Sequence, residues 1–145
     1  MCRNAFHRLD GEGARLYGGR WNSEGIAVVY LSSSFPLAVL EYLVHVDASL
    51  APTDLVSLEV DVPDSTSQER VELKDLPPGW NAGPHRACVE RGDAWIRENR
   101  SSLLFVPSAV APKDFNVLLN PAHPEAVGIT VLVDPLVLDP RLLVP

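Results

Sequence analysis

The pattern of apolar and polar positions along the chain predicts several short strands. A run of β-branched and apolar residues over 26–32 is typical of a strand. Apolar and polar residues then alternate over 54–62, as in a strand with one buried face. Further apolar segments that favour strands are residues 103–106, 115–119 and 129–133, the last continuing into 136–138.

Two helices are predicted between these strands. The first covers residues 36–45, because the serines at 32–34 are suitable caps and Pro36 suits a first helical turn. The second covers residues 86–99, after a break at Pro77-Pro78-Gly79. The glycine-rich segment from Gly11 to Gly19 is expected to be a loop. One helix among the early strands and one before the later strands argue against a regular βαβ array, so an irregular α+β fold is predicted.

Length and charge restrict the classes of protein. At 145 residues, the chain has the usual size of one domain, and residues 1–145 are assigned to a single compact domain. The net charge is −7, without a cluster of lysine or arginine, so a broad nucleic-acid interface is not expected. Cys2 and Cys88 are too few for a disulfide framework, which indicates a reducing compartment. There is no apolar run of about 20 residues and no secretion signal, so a cytoplasmic location is expected.

Glu41 lies in an unusual position on the first predicted helix. At 100° per residue it shares a stripe with Leu37, Leu40 and Val44, while the opposite face is also apolar, so this helix is expected to be buried. A buried carboxylate must be paired, hydrogen-bonded or turned toward a cavity, because an isolated one is too costly. Either Glu41 pairs with an internal arginine to stabilise the fold, or it belongs to a functional site.

Arg20 follows two glycines that allow a tight turn, and Trp21 can hold this loop by burial. A guanidinium positioned in this way can bind a pyrophosphate through two parallel hydrogen bonds. The alternative is a surface arginine beside a buried tryptophan.

Tyr30 and Ser108 are weaker candidates taken singly. Tyr30 lies on a strand, where core packing is the more common role of a tyrosine. Ser108 follows a proline that ends a strand, where a hydroxyl can cap a turn or face a cleft. An arginine, a tyrosine, a glutamate and a serine in this order suggest a site for an anionic nucleotide.

Other functional motifs are absent or incomplete. Gly11-Glu12-Gly13 does not follow a strand and lacks the third glycine of a dinucleotide-binding motif. Neither the four histidines nor the two cysteines have the spacing of metal ligands, so no metal is expected. Ser108 lacks the glycine pattern of a hydrolase nucleophile. The anionic nucleotide site is therefore the best-supported prediction.

The same residues resemble the RES-domain family of bacterial toxins, which belong to toxin–antitoxin pairs. The resemblance rests on residues 18–22 (Gly-Gly-Arg-Trp-Asn), on the segments around Tyr30 and Glu41, and on residues 103–108 and 116–123. It covers nearly the whole chain. It implies a compact fold related to ADP-ribosyltransferases, consumption of NAD+, and a set of five site residues. These residues are Arg20, Tyr30, Glu41 and Ser108, with Arg3 as an early family arginine.

The chemistry expected of such a site agrees with these residue types. Nicotinamide leaves NAD+ as a neutral molecule while positive charge builds on the ribose, and a carboxylate such as Glu41 stabilises that charge. Arg20, with Arg3, would bind the pyrophosphate, Tyr30 would contact nicotinamide or ribose, and Ser108 would donate a positioning hydrogen bond. No cofactor beyond NAD+ as substrate is expected.

The acceptor of the ADP-ribosyl group is left open by these residues. Water or phosphate as acceptor would deplete NAD+, whereas a side chain of a specific host protein would make the chain an ADP-ribosyltransferase. A non-catalytic module that binds a nucleotide or an antitoxin is the alternative from another class. The resemblance also implies an Xre-type antitoxin that covers the site, with at least two toxin chains in the complex and no direct DNA binding by this chain.

Overall fold

The structure, a computed structural model, describes residues 1–3, 8–46, 54–83 and 85–143. Ten helices and strands occur within this part of the chain, together with three single 3₁₀ turns. In chain order they are β1 (Cys2–Arg3), α1 (Glu12–Tyr17), β2 (Val29–Ser32), α2 (Phe35–Leu43), β3 (Leu55–Asp61), β4 (Gln68–Arg70), α3 (Arg86–Arg97), β5 (Leu103–Pro107), β6 (Phe115–Leu119) and β7 (Thr130–Pro135). The 3₁₀ turns are Leu73–Asp75, Pro124–Gly128 and Pro140–Leu143.

The described strands form two separate sheets. The first sheet has the order β1-β3-β7 and is antiparallel throughout. The second has the order β2-β6-β5-β4, in which only the β4–β5 pair is parallel. Strand β2 is therefore at one edge of the second sheet, and β7 is at one edge of the first.

Apolar side chains cover both faces of the second sheet. On one face, Leu104, Val106 and Leu118 pack with Trp21 and Trp95, and Trp95 has no exposed surface. On the other face, β2, β5 and β6 contribute Val29, Leu103, Val117 and Leu119. Because the central strands are buried on both sides, their sequences are nearly continuous apolar runs rather than alternating ones. The strands predicted over residues 103–106 and 115–119 from such apolar runs are confirmed as β5 and β6.

Most of the other predicted elements are also present, but two expectations about them are wrong. The expected N-terminal loop contains helix α1, and residues 136–138 do not continue β7 as a strand. Strands β1 and β4 were not predicted, because one has two residues and the other is the polar sequence Gln-Glu-Arg. Helix α1 is short and has no buried residue, so an apolar stripe could not reveal it.

The glycines on either side of α1 have the conformations that a short helix requires at its ends. Gly11 and Gly18 both have positive φ angles, 68° and 66°, which residues other than glycine rarely adopt. Within the helix, Arg15 donates two hydrogen bonds to Glu12, each 2.7 Å long. The glycines that suggested a loop are therefore the residues that begin and end a helix.

The expectation that the first predicted helix is buried on all sides is wrong. Only Leu37 of α2 is buried, whereas Leu40 is 45% exposed and Phe35 is 52% exposed. Helix α2 packs against β2, which is the edge strand of its sheet, so only one side of the helix meets the core. That side carries Glu41 toward the end of the second sheet.

Candidate active site

Glu41 is held by two neutral hydrogen-bond donors on the same carboxylate oxygen. The hydroxyl of Ser108 donates to Oε1 at 2.7 Å, and the side-chain amide of Asn116 donates a short hydrogen bond to the same atom. The second oxygen, Oε2, has no hydrogen-bond partner among the described residues, and Glu41 lines the main cleft. Among those residues no arginine pairs with Glu41. The geometry therefore favours a site residue over a fold-stabilising ion pair.

The hydroxyl of Ser108 can donate only toward Glu41. A hydroxyl has one proton and two lone pairs. The backbone N–H groups of Val110 and Ala111 donate to Ser108 Oγ at 3.1 and 3.0 Å, which occupies both lone pairs. Ser108 is fully buried and is not part of the cleft lining. Of the two roles suggested by the sequence, Ser108 has the first, because it caps the turn after β5. It does not face the cleft, and its hydroxyl orients Glu41 instead.

Asn116 is a site residue that the sequence did not single out. Its register opposite Ser32 places both side chains on the face of the sheet that also carries Glu41. Ser32 Oγ donates to Asn116 Oδ1 at 3.0 Å, and this orients the amide so that its nitrogen faces Glu41. An asparagine in an apolar strand is a recognisable signal, because a buried amide needs partners. The partner itself, 75 positions away, is revealed only by the fold.

Residues 18–22 form a tight loop that the surrounding structure holds in place. Trp21 is 2% exposed and packs in the core, while the buried Asn22 donates to the carbonyls of Ala14 and Ile26, each at 2.9 Å. From helix α3, the buried Asp93 accepts hydrogen bonds from the backbone and the hydroxyl of Ser23. Trp21 therefore holds the loop by burial, as the sequence suggested.

Tyr30 connects this loop to the edge strand β2. Its hydroxyl donates to Asn22 Oδ1 at 2.8 Å and accepts from the backbone N–H of Trp21 at 2.9 Å. Burial of the hydroxyl raises the pKa of Tyr30 to about 12, so the phenol is neutral at physiological pH. The side chain nevertheless lines the cleft, where 40% of the residue is exposed. Tyr30 thus has a structural hydroxyl and an accessible ring.

Arg20 points from the same loop into the cleft. Its Nη1 donates to the carbonyl of Trp80 at 3.1 Å and to Nδ1 of His85 at 2.8 Å, and its guanidinium carbon is 5.8 Å from the centre of the Trp80 ring. These contacts engage both protons of Nη1. The Nε and Nη2 groups have no hydrogen-bond partner among the described residues, so one edge of the guanidinium is available to a ligand.

The cleft has a volume of about 1560 Å³, and four of the residues discussed above contribute to its lining: Arg20, Tyr30, Glu41 and Asn116. Arg3 is not among the lining residues. Its Nε instead donates to Asp54 at 3.0 Å in an ion pair on the first sheet, and both side chains of this pair are largely exposed. The structure thus brings four of the five carried-over residues together, with Ser108 directly behind Glu41.

The described residues contain no group of three or more potential metal-ligating side chains. Helices long and apolar enough to cross a membrane are also absent from the described part of the chain.

Comparison with known proteins identifies the family to which the chain belongs. The RES domain family model matches residues 2–140. The Prs ADP-ribosylating toxin of Sphingobium sp. (strain YBL2) is 42% identical over 139 residues, covering 93% of this chain and 86% of that protein. Toxin Res of Pseudomonas putida (strain KT2440) is 38% identical over 141 residues, covering 96% and 95%. The chain therefore belongs to the RES domain family, and the resemblance seen in the sequence is confirmed.

A solved structure shows the same fold. The chain matches one from the crystal structure of the MbcT–MbcA toxin–antitoxin complex of M. tuberculosis, with a TM-score of 0.68 and 21% sequence identity. The match covers 95% of this chain and 82% of the other. The prediction of a compact α+β domain is confirmed by this match and by the two small sheets of the structure.

Proposed function

We propose that this protein is a toxin that cleaves the bond between nicotinamide and ribose in NAD+. The observation that supports this proposal is the arrangement of Glu41, in which Ser108 and Asn116 both bind Oε1 and leave Oε2 for a ligand in the cleft. A carboxylate fixed in this way is ready to stabilise positive charge without reorganising during the reaction.

The reaction requires little from the enzyme except electrostatics and positioning. The electron pair of the carbon–nitrogen bond leaves with nicotinamide, which becomes neutral, and the ribose carbon becomes an oxocarbenium ion. Glu41 Oε2 stabilises that ion through a ribose hydroxyl or by direct charge attraction. The hydrogen bonds from Ser108 and Asn116 keep the carboxylate from rotating away. No proton has to be given to the leaving group, so no general acid is needed.

Arg20 is the residue that would bind the pyrophosphate. Its free edge, Nε and Nη2, has the geometry of a bidentate phosphate contact, while Nη1 is held by Trp80 and His85. The exposed ring of Tyr30 lies in the same cleft and offers an apolar face to nicotinamide or to the ribose. Binding NAD+ both at its pyrophosphate and at its nicotinamide or the attached ribose would fix the scissile bond beside Glu41.

Transfer to water or to phosphate is the first outcome that we propose, and it depletes NAD+. Transfer to a protein is a second candidate, because the Sphingobium relative is named a Prs ADP-ribosylating toxin and is 42% identical over nearly the whole chain. All three outcomes share the cleavage step and differ only in the acceptor that reaches the oxocarbenium ion.

Incubating the purified protein with NAD+ labelled in the adenylate half tests the function and the acceptor together. Release of nicotinamide is expected, with label in free ADP-ribose, or in its phosphorylated form when phosphate is present. Label on a protein after addition of cell lysate would instead identify a transferase. No release of nicotinamide under any of these conditions would contradict the proposed enzyme and favour a non-catalytic binding module.

Replacing Arg20 by lysine is expected to weaken NAD+ binding about tenfold or more, although the positive charge is retained. A lysine has one ammonium group, which cannot contact Trp80, His85 and two phosphate oxygens at the same time. Titration of NAD+ into the catalytically impaired Glu41→Gln background, with and without Arg20→Lys, measures the difference. Arg86→Lys is the matched control, since Arg86 is exposed and pairs with Glu90 outside the cleft. Equal NAD+ affinities of the Glu41→Gln protein with no further change, with Arg20→Lys and with Arg86→Lys would show that Arg20 does not bind the pyrophosphate.

We also propose that an antitoxin partner, of the Xre type implied by the sequence resemblance, covers this cleft. A free enzyme that drains NAD+ would harm its own cell, and the structural relative was solved as a toxin–antitoxin complex. An acidic group of the antitoxin placed against the free edge of Arg20 would occupy the pyrophosphate position. Competition between the antitoxin and NAD+ for the Glu41→Gln chain is the expected result. Simultaneous and independent binding would require inhibition at a distance.

A further inference from the structure

The side chain of His85 lies against Arg20 in the wall of the cleft. Nη1 of Arg20 and Nδ1 of His85 are 2.8 Å apart, and His85 is half-buried among the lining residues. Arginine has only donors, so Nδ1 accepts this hydrogen bond with its lone pair. The imidazole that makes this contact is therefore neutral, and its proton is on Nε2.

His85 directly precedes the first turn of α3, where a side chain commonly caps the helix. Serine, threonine, aspartate and asparagine are preferred at this position because their oxygens accept hydrogen bonds from the backbone of the first turn. The side chain of His85 makes no such bond, and its backbone, with φ −88° and ψ 21°, lacks the extended conformation of a capping residue. The imidazole contacts Arg20 instead, so capping of α3 does not explain this histidine.

Arg20 is held by neutral groups among the described residues. Its two acceptors, the carbonyl of Trp80 at 3.1 Å and Nδ1 of His85, both bind Nη1, and no described carboxylate forms an ion pair with it. A carboxylate partner would compete with a phosphate for the guanidinium, whereas a neutral acceptor leaves the positive charge for a ligand. The carboxylate of Glu41 is held in the same manner, by two neutral donors. Arg20 and Glu41 are thus oriented without being neutralised.

Helix α3 connects His85 to the loop that carries Arg20. The backbone carbonyl of His85 accepts from the N–H of Val89 at 2.9 Å, which is the first hydrogen bond of the helix. Further along the same helix, Asp93 accepts from the backbone and the hydroxyl of Ser23 at 2.9 and 2.7 Å. One helix therefore fixes the loop behind Arg20 and also supports the acceptor of its guanidinium, as a well-positioned binding group requires.

We propose that His85 is a positioning residue for NAD+ binding, which holds the guanidinium of Arg20 so that Nε and Nη2 face the pyrophosphate. An arginine that is fixed before the ligand arrives loses less rotamer freedom on binding, so the affinity rises. The inference rests on the function proposed for the cleft. It assigns no step of the cleavage to His85, which acts through Arg20.

Replacing His85 by leucine, which is apolar and has no acceptor, is expected to raise the KM for NAD+ about tenfold and to change kcat less than about twofold. The reason is that Arg20 contacts the pyrophosphate equally before and during cleavage. His85→Asn should return KM close to the wild-type value, because Oδ1 of asparagine takes the position of Nδ1. His85→Gln should resemble the leucine variant, because its amide lies near the position of Nε2. Nicotinamide release at varied NAD+ concentrations measures both constants.

His123→Leu is the matched control for removal of a histidine. Nδ1 of His123 accepts from the N–H of Glu125 in a 3₁₀ turn, and His123 is not part of the cleft lining. This variant should lower the denaturant midpoint of unfolding and leave KM unchanged, whereas His85→Leu should do the reverse. A purely structural role of His85 would instead lower the midpoint and leave KM unchanged, and would overturn the proposal.

A double-variant cycle with Arg20→Ala separates action through Arg20 from direct contact with NAD+. His85→Leu should cause no further loss of kcat/KM in the Arg20→Ala protein, because the side chain that it positions is already absent. A further loss of about tenfold, equal to that in the wild-type background, would show that His85 contacts NAD+ itself and would overturn the proposal.

Nitrogen-15 NMR of the His85 imidazole tests the contact separately from the reaction. At neutral pH, Nδ1 should be the unprotonated nitrogen, and Arg20→Ala should weaken this preference. A proton on Nδ1 in the wild-type protein would overturn the proposal, as would equal KM values for wild type and His85→Leu in an enzyme that cleaves NAD+. Wild-type protein that neither binds nor cleaves NAD+ would instead contradict the proposed function of the cleft, and the role of His85 with it.

Discussion

Replacing Glu41 by glutamine is expected to lower the rate of NAD+ cleavage by a factor of about 10²–10³ without unfolding the protein. Both donors to Glu41, Ser108 Oγ and Asn116 Nδ2, contact the single oxygen Oε1. The amide oxygen of glutamine can accept both hydrogen bonds, so the local structure is retained. The substitution then changes one feature of the cleft, because a neutral amide replaces the charged oxygen that opposes the oxocarbenium ion.

The control for this prediction is Glu41→Ala, which removes the charge and also leaves the hydroxyl of Ser108 and the amide of Asn116 without their acceptor. Its activity should be as low as that of Glu41→Gln, but its free energy of unfolding should fall by about 1–3 kcal/mol, as for unsatisfied buried polar groups. Nicotinamide release and denaturant unfolding measure the two effects separately. Wild-type cleavage by Glu41→Gln would make Glu41 a structural residue and would contradict the proposed mechanism.

The sequence predicted those parts of the site that depend on local patterns. Glu41 is predicted as a candidate because a carboxylate within an apolar helical stripe is energetically unfavourable unless it is paired, hydrogen-bonded or turned toward a cavity. In the structure Ser108 and Asn116 donate hydrogen bonds to it. Arg20 was found through the glycines and the tryptophan beside it, which do form a held loop. These inferences required only the periodicity of a helix and the properties of neighbouring residues.

The parts that could not be predicted depend on contacts between distant segments. The tethering of the Arg20 loop by the Tyr30 hydroxyl and by Asp93 requires β2 and α3 to lie against that loop. Asn116 becomes a partner of Glu41 only when β6 pairs with β2 and α2 packs on the same edge. The exposure of α2 also depends on contacts between distant segments, because no sequence pattern shows that this helix packs on the edge strand of a sheet.

The close approach of α3 to the Arg20 loop leads to the prediction with the largest effect on stability. Gly92 lies inside α3, and a Cβ at this position would be 1.9 Å from the carbonyl oxygen of Trp21 and 2.9 Å from its carbonyl carbon. Alanine inside a helix is ordinarily favoured over glycine by about 0.5–1 kcal/mol. Here the clash is with backbone, and that backbone is fixed by the burial of Trp21 and by the hydrogen bonds of Ser23 to Asp93. The clash therefore outweighs the helix preference for alanine, and the substitution of Gly92 by alanine is expected to destabilise the protein.

Gly92→Ala is expected to lower the free energy of unfolding by about 3 kcal/mol, at the upper end of the usual cost of overpacking. Gly13→Ala is the matched control: Gly13 also lies in a helix, but a Cβ there meets nothing within 4 Å, so the free energy should rise by about 0.5–1 kcal/mol. Denaturant unfolding of both variants gives the comparison. Because Trp21 adjoins Arg20, the folded fraction of Gly92→Ala should also bind NAD+ more weakly. Equal stability of the two variants would contradict the close approach of α3 to the Arg20 loop.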